Sequence, residues 1–374
     1  MTSTVITIIG AGVVGLAVAA QLAGKYGDVY ILEKNEGFGQ ETSSRNSETI
    51  HAGIYYREGS LKAETCVAGN ALLYELCQQY GIPCRKTGKL VVATGDAEIG
   101  PLEALLEQGK KNGARDLAML SSKEVKTLEP NVEAIAAILS PSSGVIDSYA
   151  LMKFFLNRAK EQGAEIAYKS KVIGIERLTG GYRVMVENGS GTFTFNTETL
   201  INCGGLHSDR IAQLAGIDID RAGYKLHYCK GEYFSVGGGK SGLVKRLIYP
   251  VPVPGAGGMG IHNVFDVEGR MRLGPNARYV DEIDYRVDES LRGAFYNSVK
   301  SFLPFIEHDD LEPEMAGIRP KLAGPGEGFR DFVIRHEQDK GFPGLINLIG
   351  IESPALTSAP AIAEYVEGLV KEML

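Results

Sequence analysis

Cysteine is scarce in this chain: five residues, Cys66, Cys77, Cys84, Cys203 and Cys229, with no CxxC pair among them. The odd count and the scatter exclude a disulfide framework and a zinc knuckle, and they fit a reducing compartment. No apolar run approaches the roughly 20 residues needed to cross a bilayer. Met1-Thr2-Ser3-Thr4 lacks the basic flank of a signal peptide, and the apolar stretch behind it ends in glycine, so no secretory leader is expected. The expectation is a cytoplasmic protein with no integral membrane segment, loose contact with a bilayer surface staying open. Positive charge is also in short supply. Lys and Arg total 39 against 46 Asp and Glu, a formal charge of -7, which makes a poor nucleic-acid platform. Neither an internal repeat nor a low-complexity tract occurs. What remains is an ordinary globular composition over 374 residues, long enough for two domains or one domain with an insertion. Glycine alone is plentiful, and its clustering in short motifs suggests backbone that approaches a ligand closely.

The first such motif is at the N-terminus. Val5-Ile6-Thr7-Ile8-Ile9 reads as a buried parallel strand, and Gly10-Ala11-Gly12-Val13-Val14-Gly15 follows at once. Leu16 to Ala23 reads as a helix, and Val29-Tyr30-Ile31-Leu32 as a second strand ending at Glu33. This is GxGxxG in its full setting of strand, turn, helix, strand and terminal acid. Gly10 permits the turn, Gly12 admits a pyrophosphate, and Gly15 lets helix and strand pack closely. The helix N-terminus directs N–H groups and a positive dipole end at the phosphates. Glu33 can accept hydrogen bonds from ribose hydroxyls.

Two later segments extend the same unit. Thr199 to Cys203 is a strand running into Gly204-Gly205, with a helix start at about His207. Gly344 to Glu352 is another strand, after which Ser358 is the expected N-cap of a last helix over 359–372. A nucleotide domain built from three separated stretches points to FAD more than to NAD. Elsewhere, Thr87–Thr94 reads as a strand, 96–112 as helical, and Ser121-Ser122-Lys123-Glu124 as a capping box. Asp147–Gln162 reads as a long helix. Lys171–Glu187 alternates, with a hairpin signal at Asn188-Gly189. From Gly216 to Pro325 strands alternate with Gly/Pro turns around one helix at 289–303. The Gly255–Gly260 turn reads as an ordinary loop rather than a cover over the site.

These segments together resemble the D-amino-acid-oxidase-like superfamily of FAD-dependent oxidoreductases. The stretch Ser44-Arg45-Asn46-Ser47-Glu48-Thr49-Ile50-His51-Ala52-Gly53, with Gly88-Lys89-Leu90-Val91, Lys230-Gly231-Glu232, Tyr249-Pro250-Val251-Pro252, Gly260-Ile261-His262 and Gly317-Ile318-Arg319-Pro320-Lys321, is similar to the L-2-hydroxyglutarate dehydrogenase family, over nearly the whole chain. The family's frequent His-Asn-Ser is Arg45-Asn46-Ser47 here, and an acid, Glu352, stands near the expected cofactor. The resemblance implies an α/β fold: a discontinuous Rossmann-like FAD domain of the GR2 type (1–86, 143–215, 326–374) and an α+β substrate domain with a mostly antiparallel sheet (87–142, 216–325). It also implies non-covalent FAD, with His51 the residue a covalent link would use. Gly10, Gly12, Val14, Gly15, Glu33, Lys34, Ser43, Ser44, Arg45, Asn46, Ser47, His51, Val172, Cys203, Gly204, Gly205, Arg319, Gly350, Glu352, Ser353, Leu356 and Thr357 are its expected contacts.

The implied reaction is oxidation of a 2-hydroxy acid, L-2-hydroxyglutarate first, by hydride transfer to flavin. Such a substrate needs a cation for its α-carboxylate and a base of near-neutral pKa for its hydroxyl. Arg319 is the expected clamp, since its planar fork suits bidentate binding. Lys321 is the candidate for a second carboxylate. His262 is placed slightly ahead of His51 as the base, and Tyr55 and Tyr249 are expected to line the pocket. The electron acceptor stays open between oxygen, a quinone and a carrier, and no metal is expected. Two other readings stand beside this one: an amine-acting flavoprotein for amino acids or N-methyl amino acids, and a non-catalytic flavin-binding module.

Overall fold

The computed structural model describes residues 3–252 and 259–373. Its largest sheet has eight strands drawn from distant parts of the chain. Ser3–Ile9 lies at its centre, parallel to Val29–Leu32 on one side and to the second half of Gly191–Asn202 on the other. Glu165–Ala167 adds beyond Val29–Leu32, and Leu345–Ile349 pairs parallel with the end of Gly191–Asn202. Ile6, Ile8, Ile31, Ile201 and Ile346 are fully buried, as strands covered on both faces require. The helices Val13–Leu22, Leu61–Tyr80, Ser148–Glu161 and Ala355–Met373 pack into one apolar layer. The antiparallel ribbon Lys171–Leu178, Gly181–Asn188 and Gly191–Asn202 builds a second layer with Ser208–Leu214.

The rest of the chain forms smaller sheets. His227–Val236 pairs along its length with Leu311–Lys321 and also carries Met271–Gly274 and Arg278–Val280; His262–Phe265 pairs on the outer side of Met271–Gly274. Those pairings are all antiparallel. A neighbouring four-stranded sheet mixes the antiparallel strands Lys89–Ala93, Ala136–Ser140 and Ala118–Ser121 with Leu247–Pro250, which runs parallel to Lys89–Ala93. The capping box at Ser121 and Glu124 is present.

Three local expectations are corrected. Lys171–Glu187 is two strands, because Gly180 and Gly181, with φ of 84° and 153°, turn the chain back after Leu178. Ser358 is not an N-cap: its amide already donates to the Pro354 carbonyl inside a helix that starts at Ala355, where Pro354 sets the chain for the first turn. The helix expected over 289–303 is a 3-10 turn, Glu289–Leu291, followed by only Arg292–Val299. Most of the Gly255–Gly260 turn lies outside the described residues.

The glycines of the first turn are held by backbone on both sides. A Cβ at Gly15 would stand 2.0 Å from the Gly10 carbonyl oxygen, and one at Gly10 would stand 2.4 Å from that of Cys203. Neither neighbour is a flexible side-chain end. Gly15→Ala should therefore destabilise the protein by about 1–3 kcal/mol through overpacking. Denaturant unfolding of parent and variant, both stripped of cofactor, checks this; equal midpoints would show that helix and strand can separate freely.

Candidate active site

Four of the parallel strands of the large sheet lead, at one edge, into Gly10, Glu33, Cys203 and Gly350. In open α/β sheets ligands bind in the crevice beyond these carboxyl ends. Two clefts meet there, of about 1230 and about 170 Å³, sharing Gly12, Thr42, Ser43, Cys203 and Gly205 in their walls. The larger is lined by Gly10, Glu33, Lys34, Val172 and Gly204. The smaller runs toward the second set of sheets and is lined by Val14, Gly15, Arg45, Asn46, Ser47, His51, His262, Arg319, Glu352, Ser353 and Leu356.

The larger cleft fits a dinucleotide. Gly12 is the N-cap of its helix and places no side chain over the helix end. A Cβ there would come within 2.9 Å of the Ser43 hydroxyl, which already accepts from the Val13 amide at 3.0 Å. Glu33 is buried and anchored by the amides of Ala11 (2.8 Å) and Asn35 (2.9 Å), one on each oxygen. Each oxygen keeps further acceptor capacity for a ribose hydroxyl. Lys34 is committed to Glu41 at 2.7 Å. Asn46 braces its own loop, donating to the Ser43 carbonyl and accepting from the Glu48 amide, both at 2.7 Å.

Six expected site residues stand outside the lining of both clefts. Ser44 is exposed, and its hydroxyl donates to the Glu41 carbonyl instead. Gly350 turns the chain at φ 71°, backed by Leu322. Thr357 lies behind His51, accepting from its amide at 3.0 Å and donating to the Thr49 carbonyl at 3.2 Å. Lys321 binds both oxygens of Glu352, at 2.9 and 3.1 Å. Glu352 also holds Lys62 at 2.9 Å, so one buried carboxylate lies between two ammoniums. Burial alone would raise the pKa of Glu352, but Lys62 and Lys321 outweigh it and hold the carboxyl below its ordinary range. Lys321 is thus tied to Glu352 and stands outside the lining of both clefts, which corrects its expected role at a second carboxylate. Tyr55 and Tyr249 sit one layer back, their rings 6.3 Å apart.

The catalytic candidates converge on the smaller cleft. Arg319 comes from Leu311–Lys321, and its guanidinium donates to the Asn276 carbonyl (3.1 Å) and the Cys229 sulfur (3.5 Å). It makes no ion pair with a carboxylate among the described residues. His262 is buried, and its ring stacks on Tyr249 with centroids 3.5 Å apart and planes at 14°. Its Nδ1 lies 3.2 Å from the Asn263 carbonyl, which can only accept, so Nδ1 carries the proton in the neutral ring. Nε2 then keeps its lone pair and has no hydrogen-bond partner among the described residues. His51 is held by its backbone: the amide by Thr357 and the carbonyl by Asn70 at 2.9 Å. Its Nδ1 is buried without a partner. Burial first, then Lys89, lowers both imidazoles well below their ordinary value; His262 adds to this at His51, and Arg319 at His262. The near-neutral pKa expected for the base is therefore not found in the free protein.

Lys89 is the group that sequence reasoning missed. It is fully buried, yet makes no ion pair or hydrogen bond among the described residues. Its Nζ lies 3.7 Å from the ring centroid of Tyr249 and 5.3 Å from that of Tyr55. Tyr233, another buried lining residue outside the expectations, has its phenol pushed up to about 12 by burial. Lys89 stands in the Gly88-Lys89-Leu90-Val91 stretch that carries the resemblance, but nothing local marks either residue as buried beside the cleft.

A family model described as FAD dependent oxidoreductase matches residues 6–369. The mitochondrial L-2-hydroxyglutarate dehydrogenase of Arabidopsis thaliana is 37% identical, over 96% of this chain and 82% of its own length. The L-2-hydroxyglutarate dehydrogenase of Escherichia coli K12 is 30% identical, over 98% of this chain and 93% of its own. Among solved structures, dithionite-reduced L-α-glycerophosphate oxidase from Mycoplasma pneumoniae with FAD bound superposes with a TM-score of 0.86 at 27% identity, covering 99% of this chain and 95% of that one.

The lowered imidazole pKa values tie stability to pH. Unfolded histidines take up protons below about 6.5, whereas the buried rings resist protonation until lower pH. The unfolded state then binds more protons, so folding stability falls as pH drops through that window and levels off above it. His262→Asn should show a shallower fall than the parent between pH 7 and 5. Parallel stability curves for the two proteins, from urea unfolding at each pH, would contradict the burial argument.

Proposed function

Given that the chain belongs to the FAD-dependent oxidoreductase family, we propose that it oxidises the α-hydroxyl of a small L-2-hydroxy acid, L-2-hydroxyglutarate first, to the 2-oxo acid. The observation that carries this reading is one cleft faced by both an arginine without a carboxylate partner and a neutral imidazole with a free Nε2. FAD, when bound, accepts the two electrons and the hydrogen that leave the α-carbon. Gly10, Gly12, Ser43 and Glu33 would hold its nucleotide end, and the Arg45–His51 stretch with Glu352–Leu356 would border the flavin end. The same reading assigns residues 1–86, 143–215 and 326–374 to the FAD domain and 87–142 with 216–325 to the substrate domain.

Arg319 binds the α-carboxylate. Its present partners, a carbonyl and a thiol, leave its charge uncompensated, and a carboxylate supplies the bidentate match. That fixes the α-carbon, so the hydroxyl proton can pass to Nε2 of His262. Nδ1–H donating to the Asn263 carbonyl keeps the ring in the tautomer this needs. An amine substrate can shed its proton to solvent before binding and needs no such base, so the free Nε2 favours a hydroxyl. A non-catalytic module would have no use for an arginine kept out of structural ion pairs. Five free thiols support a reducing compartment. No helix among the described residues is long and apolar enough to cross a membrane.

Anaerobic addition of L-2-hydroxyglutarate to the purified yellow protein should bleach the flavin, while amino acids and N-methyl amino acids should not. Arg319→Ala should cost about 2–4 kcal/mol in kcat/KM, with Arg319→Lys recovering only part, because an ammonium lacks the planar fork. Unchanged kinetics in Arg319→Ala would remove the residue from the site. His262→Asn should slow flavin reduction by about 10²–10⁴-fold and leave reoxidation intact. His51→Asn should slow it less. Since burial and Lys89 lower the His262 pKa, the parental rate per unit of free enzyme and substrate should rise with pH only below about 6.5 and be flat above. Stopped-flow reduction across pH 5–9 measures this, and equal, near-parental rates in both histidine variants would pass the base to another group.

A further inference from the structure

A substrate with two carboxylates needs two positive charges, and Arg319 meets one of them. The cations around the cleft can be taken in turn. Lys62 and Lys321 are both bound to Glu352. Lys230 is buried between Glu232 and Asp284, each 3.7 Å away. Arg45 also lines the smaller cleft, but it is only half-buried and its guanidinium is held over the Tyr285 ring, 4.2 Å from the centroid. Lys89 alone of these is both buried and without an acidic partner among the described residues.

The neighbours of Lys89 supply no hidden counter-ion. The titratable groups around it are Tyr55 and Tyr249, Cys66 of the helix Leu61–Tyr80, His51, and His262 beyond Tyr249. Burial raises the phenols of Tyr55 and Tyr249 and the thiol of Cys66, so all three stay uncharged near neutral pH. The hydroxyl of Tyr55 is itself buried without a partner. Burial without an anion pulls Lys89 down to about 7. An unpaired buried ammonium is costly, and one π face compensates it only in part.

Its position relative to the cleft is defined by the stack. His262 covers one face of Tyr249 at 3.5 Å, so the ammonium, 3.7 Å from the same centroid, takes the other face. The cleft, two rings and the ammonium thus follow one another in order. Low-polarity aromatic material between two charges screens them weakly.

We propose that Lys89 supplies the positive charge for the second carboxylate of the substrate, acting across the His262–Tyr249 pair, and so makes the site selective for dicarboxylic 2-hydroxy acids. The proposal rests on the functional reading above. Lys89 is a positioning residue in this scheme: it touches neither the reacting carbon nor the hydroxyl. It takes the place expected for Lys321, which is bound to Glu352.

The test compares two substrates of matched chain length, L-2-hydroxyglutarate and L-2-hydroxyvalerate, with the FAD-loaded parent, Lys89→Met and Lys89→Arg. The parent should prefer the dicarboxylate in kcat/KM. Lys89→Met should lose roughly ten- to a hundredfold with L-2-hydroxyglutarate, chiefly in KM, and change little with L-2-hydroxyvalerate. Lys89→Arg, which keeps a cation on the tyrosine face, should recover most of the loss. Equal losses with both substrates in Lys89→Met, or no recovery in Lys89→Arg, would mean a packing role and overturn the proposal. Calorimetric titration of the same proteins with glutarate and pentanoate, which cannot be oxidised, decides the matter even if neither hydroxy acid is a substrate. The glutarate preference should be present in the parent and gone in Lys89→Met; its absence from the parent, or its survival in the variant, defeats the assignment independently of the proposed reaction.

Discussion

The site depends on a contact between backbones that leaves no room for side chains. Gly10, Gly15 and Cys203 approach so closely that a methyl group at either glycine would overlap a carbonyl oxygen. This contact presses the first helix onto its strand and brings the end of Gly191–Asn202 alongside. The open helix end at Gly12 and the Cys203–Gly205 wall then face each other across the cleft. A second contact of the same kind closes the other side. A Cβ at Gly317 would stand 2.0 Å from the Arg45 carbonyl oxygen. Residues two apart on a strand share a face, so Arg319 projects on the side where Gly317 meets the Arg45 stretch. Two glycine contacts thus set the distance between the nucleotide turn and the carboxylate clamp.

Charge follows a different rule from packing. The chain as a whole carries -7, yet around this cleft the cations are in excess. Glu352 is shared by two ammoniums, Arg319 has only a carbonyl and a thiol, and Lys89 has only aromatic faces. Burying charges without full compensation is expensive, and folds rarely retain such groups unless a ligand completes them. A net acidic protein that concentrates unpaired cations at one buried place is built to receive an anion there.

What the sequence revealed depended on the range of the interaction. The dinucleotide turn was readable because its glycines, strand and helix adjoin along the chain, and its terminal acid follows within one further strand. Arg319 and His262 were found by resemblance, since nothing local marks them. The pairing of Lys62 with Glu352 joins residues 290 positions apart, so no spacing announces it. Lys89 begins an ordinary strand, where a lysine would normally reach for solvent. Its burial comes from Tyr55, before it, and Tyr249, far after it. Ser44 failed as a ligand for a similar reason. It adjoins Ser43 in sequence, but the 3-10 turn Thr42–Ser44 sends one hydroxyl into the cleft wall and the other to solvent.

The histidines and the lysine form one electrostatic unit. Lys89 helps keep His51 and His262 neutral in the free protein, and the carbonyl of Asn263 decides which nitrogen of His262 holds the proton. A base with a lowered pKa is ready to accept a proton at neutral pH but accepts it weakly. An arriving carboxylate reverses both effects. Its negative charge favours the protonated forms of nearby imidazoles and ammoniums, and so raises their pKa values. The base therefore gains strength when the anionic substrate is in place and loses it when the site empties. Proton affinity and substrate occupancy are thus coupled by the same few charges.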